Sequence, residues 1–83
     1  MPASLGADLY LALIQALVAA RMGANVRQVE FADRLGKPQS FVSKYENREC
    51  VLDVAEFLVV AQALGVDPLA LIARAMEDRA QSS

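Results

Sequence analysis

Residues 27–48 read RQVEFADRLGKPQSFVSKYENR, and this stretch decides the fold. It divides into two short helices about a turn at Gly36. The first covers about residues 28–35 and is expected to bury Val29, Ala32 and Leu35, apolar positions at helical spacing. Gly36 stops it, because glycine takes the left-handed conformation that closes a helix at little cost. Pro38 suits the first turn of the second helix, where a missing N–H is no loss. That helix runs to about Asn47, with Val42 and Tyr45 inward.

The flanks are helical too. Residues 7–22 contain no breaker, and Leu9, Leu13, Leu17 and Ala20 recur at three and four. Asn25 can take a left-handed position and end that helix. Beyond the central pair, Asp53-Val-Ala-Glu56 is a capping-box pattern. A fourth helix then places Val54, Phe57, Leu58 and Ala61 inward and stops at Gly65. Asp67-Pro68 caps and opens a fifth, with Leu69, Ile72 and Met76 inward, and Gln81-Ser82-Ser83 is expected to fray. The expectation is an all-α, five-helix domain over residues 1–83, with a core of about 7–79 and a helix-turn-helix formed by helices 2 and 3.

Composition narrows the function. Eighty-three residues make one domain near the small end of what folds alone, so a partner subunit would help its stability. Asp8, Gln15 and Arg21 interrupt the first helix, so no apolar run approaches the roughly 18–20 residues of a membrane span. The amino end lacks the basic region of a secretory signal. Cys50 is alone, which excludes an internal disulfide and fits a reducing cytoplasm. With no histidine, one cysteine and no glycine-rich phosphate loop, neither a metal site nor a cofactor is expected. Glu30 and Asp33 share a helix face but read as solvated charges, so the chain is not expected to be an enzyme.

The net charge of −2 hides an uneven distribution. Residues 21–48 carry six bases (Arg21, Arg27, Arg34, Lys37, Lys44, Arg48) against Glu30, Asp33 and Glu46. Residues 49–83 carry Arg74 and Arg79 against six acids. A local basic face can hold phosphates while an acidic far side limits loose binding. On helix 3, Gln39, Ser40, Ser43, Lys44 and Asn47 share the outward side by three- and four-residue steps. Glutamine can pair bidentately with adenine, lysine can donate to guanine, and serine adapts to either. Gln28 opens helix 2, where free N–H groups and a side-chain amide can clasp a phosphate. Any surface helix can carry Gln, Ser and Lys, so on these residues alone a solvated face and a surface for duplex DNA stand about level.

The stretch from Gln28 to Asn47 resembles the phage-repressor and Cro-like (Xre-type) helix-turn-helix family. Ala32 matches its small residue where the helices cross, Gly36 its turn glycine and Val42 its buried aliphatic. Leu52 to Ile72 resembles the family's two C-terminal helices, so the likeness spans about residues 9–73. It implies base contacts from Gln39, Ser40 and Lys44, with Ser43 beside them. It also implies backbone contacts from Gln28 and Asn47, to which Arg27, Lys37 and Arg48 are added as candidate phosphate ligands. Arg21 and Glu46 match a pair that bridges helices 1 and 3. Three departures stand out. Arg27 replaces the usual Ser or Thr cap, Asn47-Arg48-Glu49-Cys50 replaces a glycine-containing turn, and helix 1 lacks outer basic residues.

Helix 1 is unusually apolar, with only Gln15 and Arg21 polar from Leu9 to Met22 beyond the tyrosine hydroxyl, and Tyr10, Leu11, Ile14 and Val18 belong to that surplus. Surplus apolar surface of this kind marks a partner site. A homodimer is expected, its seam on helix 1 or on Leu71, Ile72, Ala75 and Met76 of helix 5. The leading expectation is a prokaryotic, cytoplasmic, nucleoid-associated repressor acting as a dimer on an inverted-repeat operator. The alternative is a protein-interaction module or antitoxin-like protein that keeps the fold and binds a regulatory protein partner.

Overall fold

Five α-helices follow one another: α1 (Ala7–Gly23), α2 (Gln28–Leu35), α3 (Gln39–Glu46), α4 (Val54–Ala63) and α5 (Pro68–Ser82). A computed structural model describes residues 6–82, with side chains through residue 78, and there is no strand among them. The backbone is helical through Ser82, past the expected fraying point at Gln81; Ser83 lies outside the described residues, as do residues 1–5. Pro38 proves to be the cap residue before α3 rather than its first turn.

Four helices close in the same way. Asn25, Gly36, Arg48 and Gly65 each take a left-handed backbone (φ 60°, 68°, 62° and 74°). The N–H of the next residue then reaches back five positions. Val26 bonds the Arg21 carbonyl at 3.2 Å, Lys37 that of Ala32 at 3.0 Å, Glu49 that of Lys44 at 2.8 Å and Val66 that of Ala61 at 3.1 Å. This closure satisfies carbonyls that a helix end would otherwise leave open. Two of the four positions carry glycine. Arg48 is the costly one, because a Cβ crowds the backbone there.

The starts of the helices differ. Asp53 accepts the Glu56 N–H at 2.7 Å, and the Glu56 carboxylate accepts the Asp53 N–H at 2.9 Å, a complete capping box. Asp67 accepts the Leu69 N–H at 3.0 Å beside Pro68. Arg27 has no acceptor to offer α2. Glu30 supplies the reciprocal half instead, accepting the Arg27 N–H at 3.2 Å and its Nε at 2.9 Å.

The core gathers Ile14 and Leu17 of α1, Phe31 and Ala32 of α2, Val42 and Tyr45 of α3, and Phe57, Val60 and Ala61 of α4. Several expected inward positions are corrected. Val29 is 51% exposed, and Phe31 fills the core in its place. The buried stripe of α2 is centred on Phe31, Ala32 and Leu35, and Val29 lies round the side. On α4, Val54 is 77% exposed and Leu58 also faces out, whereas Val60 is buried. On α5, Leu69 and Met76 face out and Ala75 is buried, with Leu71 and Ile72 half-buried. Both errors share a cause: these helices carry apolar residues on several sides, so periodicity does not single out a face.

α1 packs against α5 and α3. Ile14 is buried, Val18 packs on the core, and the Tyr10 hydroxyl accepts the Leu52 N–H at 3.0 Å. Leu11 is half-buried. Much of the apolar surface of α1 is therefore packed inside the chain. Leu71, Ile72 and Ala75 are committed to the same packing, which leaves Met76 as the one exposed seam candidate from that set.

The shared closure predicts an asymmetry. Arg48→Gly should stabilise the domain by about 1 kcal/mol, and Gly36→Ala should destabilise it by about as much, since the same backbone accepts glycine freely and a Cβ poorly. Denaturant midpoints of the two variants check this.

Candidate nucleic-acid interface

The α2–turn–α3 unit is fixed by Phe31, Ala32, Val42 and Tyr45, all buried, so its polar residues project from a rigid base. α2 and α3 are packed on each other across the Gly36 turn. The outward side of α3 carries Gln39, Ser40 and Lys44, all exposed, with Ser43 half-buried and Asn47 exposed at the end. Asn47 reaches the Ser43 hydroxyl at 3.5 Å. No charged residue other than Lys44 lies on this strip.

Behind it runs a line of hydrogen bonds. Arg21 of α1 donates Nε to Glu46 Oε2 at 2.7 Å and Nη2 to Oε1 at 3.0 Å. The two side chains are 11% and 6% exposed. Arg21 also donates Nη1 to the Val26 carbonyl at 2.6 Å, which ties the α1–α2 loop into the same knot. The bond to Glu46 pushes the Arg21 guanidinium further above its already high pKa, against the opposing effect of burial. Gln28 of α2 donates Nε2 to Glu46 Oε1 at 2.9 Å. Gln39 donates Nε2 to Gln28 Oε1 at 3.3 Å. Four side chains thus lead from a shielded ion pair to the exposed start of α3.

The sequence pairs Arg21 with Glu46 and gives Gln28 a phosphate contact, but it does not show the links from Gln28 to Glu46 and to Gln39. The signal lay in the placement of glutamine at the first position of both α2 and α3, with Glu46 closing α3.

The candidate phosphate ligands differ in freedom. Arg27 is exposed but paired with Glu30 at 2.9 Å, and bonds from Arg27 hold the Glu30 carboxyl below its ordinary pKa. Lys37 sets its ammonium 5.7 Å from the centre of the Phe41 ring, a cation–π contact that leaves it exposed beside α3. Arg48 is exposed at the far end of α3, on the left-handed turn. Among the described residues no group of His, Cys, Asp or Glu has metal-binding geometry, and no single helix is long and apolar enough to cross a membrane.

A model of the helix-turn-helix family matches residues 17–71 of the chain. A solved structure, the XRE-family like protein from Pseudomonas syringae pv. tomato str. DC3000, is similar at 48% sequence identity and a TM-score of 0.80. The match covers 83% of this chain and 84% of that one. No curated protein gives a match.

If the ion pair sets the pose of α3, Glu46→Gln should destabilise the domain by about 1–3 kcal/mol, because Arg21 keeps its charge without a partner. Arg21→Met combined with Glu46→Leu should recover much of that loss. Denaturant titrations of the three proteins decide it; small additive effects would mark an ordinary solvated pair.

Proposed function

This chain belongs to the XRE-type helix-turn-helix family of DNA-binding regulators, and from that premise we propose that it is a repressor that reads an inverted-repeat operator as a homodimer. The observation that carries the reading is the strip Gln39, Ser40, Ser43 and Lys44, projecting from a base held by buried residues. Gln39 and Lys44 bear the donors and acceptors that pair with purine edges in the major groove, and the serines adapt to what lies between. Gln28 at the start of α2, Asn47 and Arg48 at the end of α3, and Arg27 and Lys37 beside them bracket that strip with phosphate donors. The function asks for no catalytic chemistry and no cofactor, and its setting would be the cytoplasm, on the nucleoid.

The dimer seam is assigned to α4. Val54 and Ala55 are exposed, as are Leu58 and Val59 one turn later, and no charge lies among these four positions. A solvent-facing helix side without charge is unusual and suits burial against a second copy. In such a dimer two α3 helices would enter successive major grooves about 34 Å apart. The same surface favours a second reading, in which α4 holds a different protein and the chain acts as an antitoxin-like or interaction module.

Selection from a random duplex pool tests the reading in one step, and the expected product is a palindromic site. Gln39→Ala and Lys44→Ala should each weaken binding to that site by about 1–3 kcal/mol without loss of helicity. Equal loss on random duplex would reassign them to phosphate contacts, and no loss for either would remove α3 from the reading role. Val54→Glu with Leu58→Glu should give a folded monomer by sedimentation with much weaker operator binding, since the second half-site is gained only through linkage. A variant that stays dimeric excludes α4 as the seam. An unmodified protein that is monomeric both free and on DNA excludes the symmetric operator.

A further inference from the structure

The loop that follows α3 turns back on that helix and is held there. Arg48 takes its left-handed backbone, and the N–H groups of Glu49 and Cys50 both reach the Lys44 carbonyl, at 2.8 and 3.3 Å. Two residues on, the Leu52 N–H is held by the Tyr10 hydroxyl at 3.0 Å, so the loop is tied at both ends. Between loop and helix lies a groove of about 400 Å³. Phe41, Tyr45, Val51 and Leu52 give it apolar walls, while Lys37, Ser40, Lys44 and Cys50 supply polar groups. The one acid among its lining residues, Glu56, turns its carboxylate to the Asp53 N–H at 2.9 Å. Among the described residues neither lysine pairs with an acid. Lys37 stands 5.7 Å from the centre of the Phe41 ring, which sets a cation directly beside an aromatic wall.

Resting on the reading of α3 as the helix that meets the base edges, we infer that this groove is an effector site for a small organic anion with an apolar body, an aromatic carboxylate, whose binding displaces the operator. Sites for small ligands join apolar and aromatic walls to a few polar groups at roughly 300–1,000 Å³, and this groove has that size and make-up. A DNA phosphate would use the lysines and leave Phe41, Tyr45, Val51 and Leu52 idle. A neutral apolar molecule would use those walls and leave two unpaired cations idle. An aromatic acid uses both, its carboxylate taking charge-assisted hydrogen bonds from Lys37 and Lys44 while its ring lies on Phe41 and against Val51. Ser40 and Lys44 belong to the groove and to the reading strip at once. They cannot serve a carboxylate and a duplex together, and the added negative charge repels phosphates besides. The reading helix thus carries its own sensor.

The test uses the full chain and three probes: naphthoate, its neutral isostere naphthamide, and acetate, an anion without the ring. Cys50 is the single cysteine of the chain and lines the groove, so its alkylation by uncharged iodoacetamide reports occupancy without any DNA. Naphthoate should protect Cys50, naphthamide should bind about tenfold more weakly, and acetate should give no protection. Lys37→Met with Lys44→Met, both at exposed positions, should erase the preference for the acid over the amide without loss of helicity. On the duplex selected from a random pool, naphthoate at about ten times its own dissociation constant should weaken binding about tenfold, with acetate as the counterpart at equal ionic strength. Failure of naphthoate to protect Cys50, equal binding of acid and amide, or a preference that survives the double lysine change overturns the site. Protection of Cys50 with operator binding no weaker than in acetate overturns the displacement. A chain that selects no duplex rejects the reading role of α3 instead, a failure that the Cys50 measurements, made without DNA, keep separate from that of the groove.

Discussion

Everything outside the apolar core hangs on one shielded ion pair. Arg21 closes α1, Glu46 closes α3, and between them they make two charge-assisted hydrogen bonds while Arg21 also holds the Val26 carbonyl. A pair this far from solvent recovers by attraction roughly what it loses in hydration, so its worth lies in geometry more than in net stability. Apolar residues in its place would hold α1 and α3 together but would leave the angle of α3 to packing alone. The bidentate fork admits one arrangement. Because Gln28 shares an oxygen of the same carboxylate, α2 is tied to the same constraint.

The helix-turn-helix could be read from the sequence because its punctuation is local. Gly36, Asp53 with Glu56, and Asp67 with Pro68 act through backbone conformations and bonds spanning a few residues, and each lies where those residue types predict a boundary. Asn25 was legible for the same reason. Arg48 was not, since arginine carries no preference for the left-handed turn it occupies. That turn is held by the end of α3 itself, where the carbonyls of Lys44 and Tyr45 take the N–H groups of Glu49 and Arg48. The outward strip of α3 was legible through its contrast with Val42 and Tyr45. The links that discipline it were not, because Glu46 and Gln28 stand 18 positions apart.

The apolar helices were misread for lack of contrast. α4 holds only Glu56 and Gln62 as polar residues, so Val54 and Val60 look equally suited to the core, and only the placement of α2 and α5 distinguishes them. On α1 the surplus is met in part within the chain. Leu71, Ile72 and Ala75 of α5 cover it from within the chain. α4 in turn is left with Val54, Leu58 and Val59 exposed.

The chain also carries its own optical label. It has no tryptophan and two tyrosines, both tied to the interior: Tyr10 through Leu52, and Tyr45 as one of the largest fully buried side chains. The Tyr45 hydroxyl makes no hydrogen bond to any described residue, and burial, then the Glu46 charge, pushes its pKa well above the ordinary phenol value. Below about pH 10 both folded and unfolded chains hold that proton, and pH leaves the balance untouched. Above it the unfolded chain gives the proton up while the folded chain retains it, so stability declines as alkalinity rises. Ionisation of Tyr45, seen as a phenolate absorbance, therefore reports the opening of α3 from the core rather than a local titration.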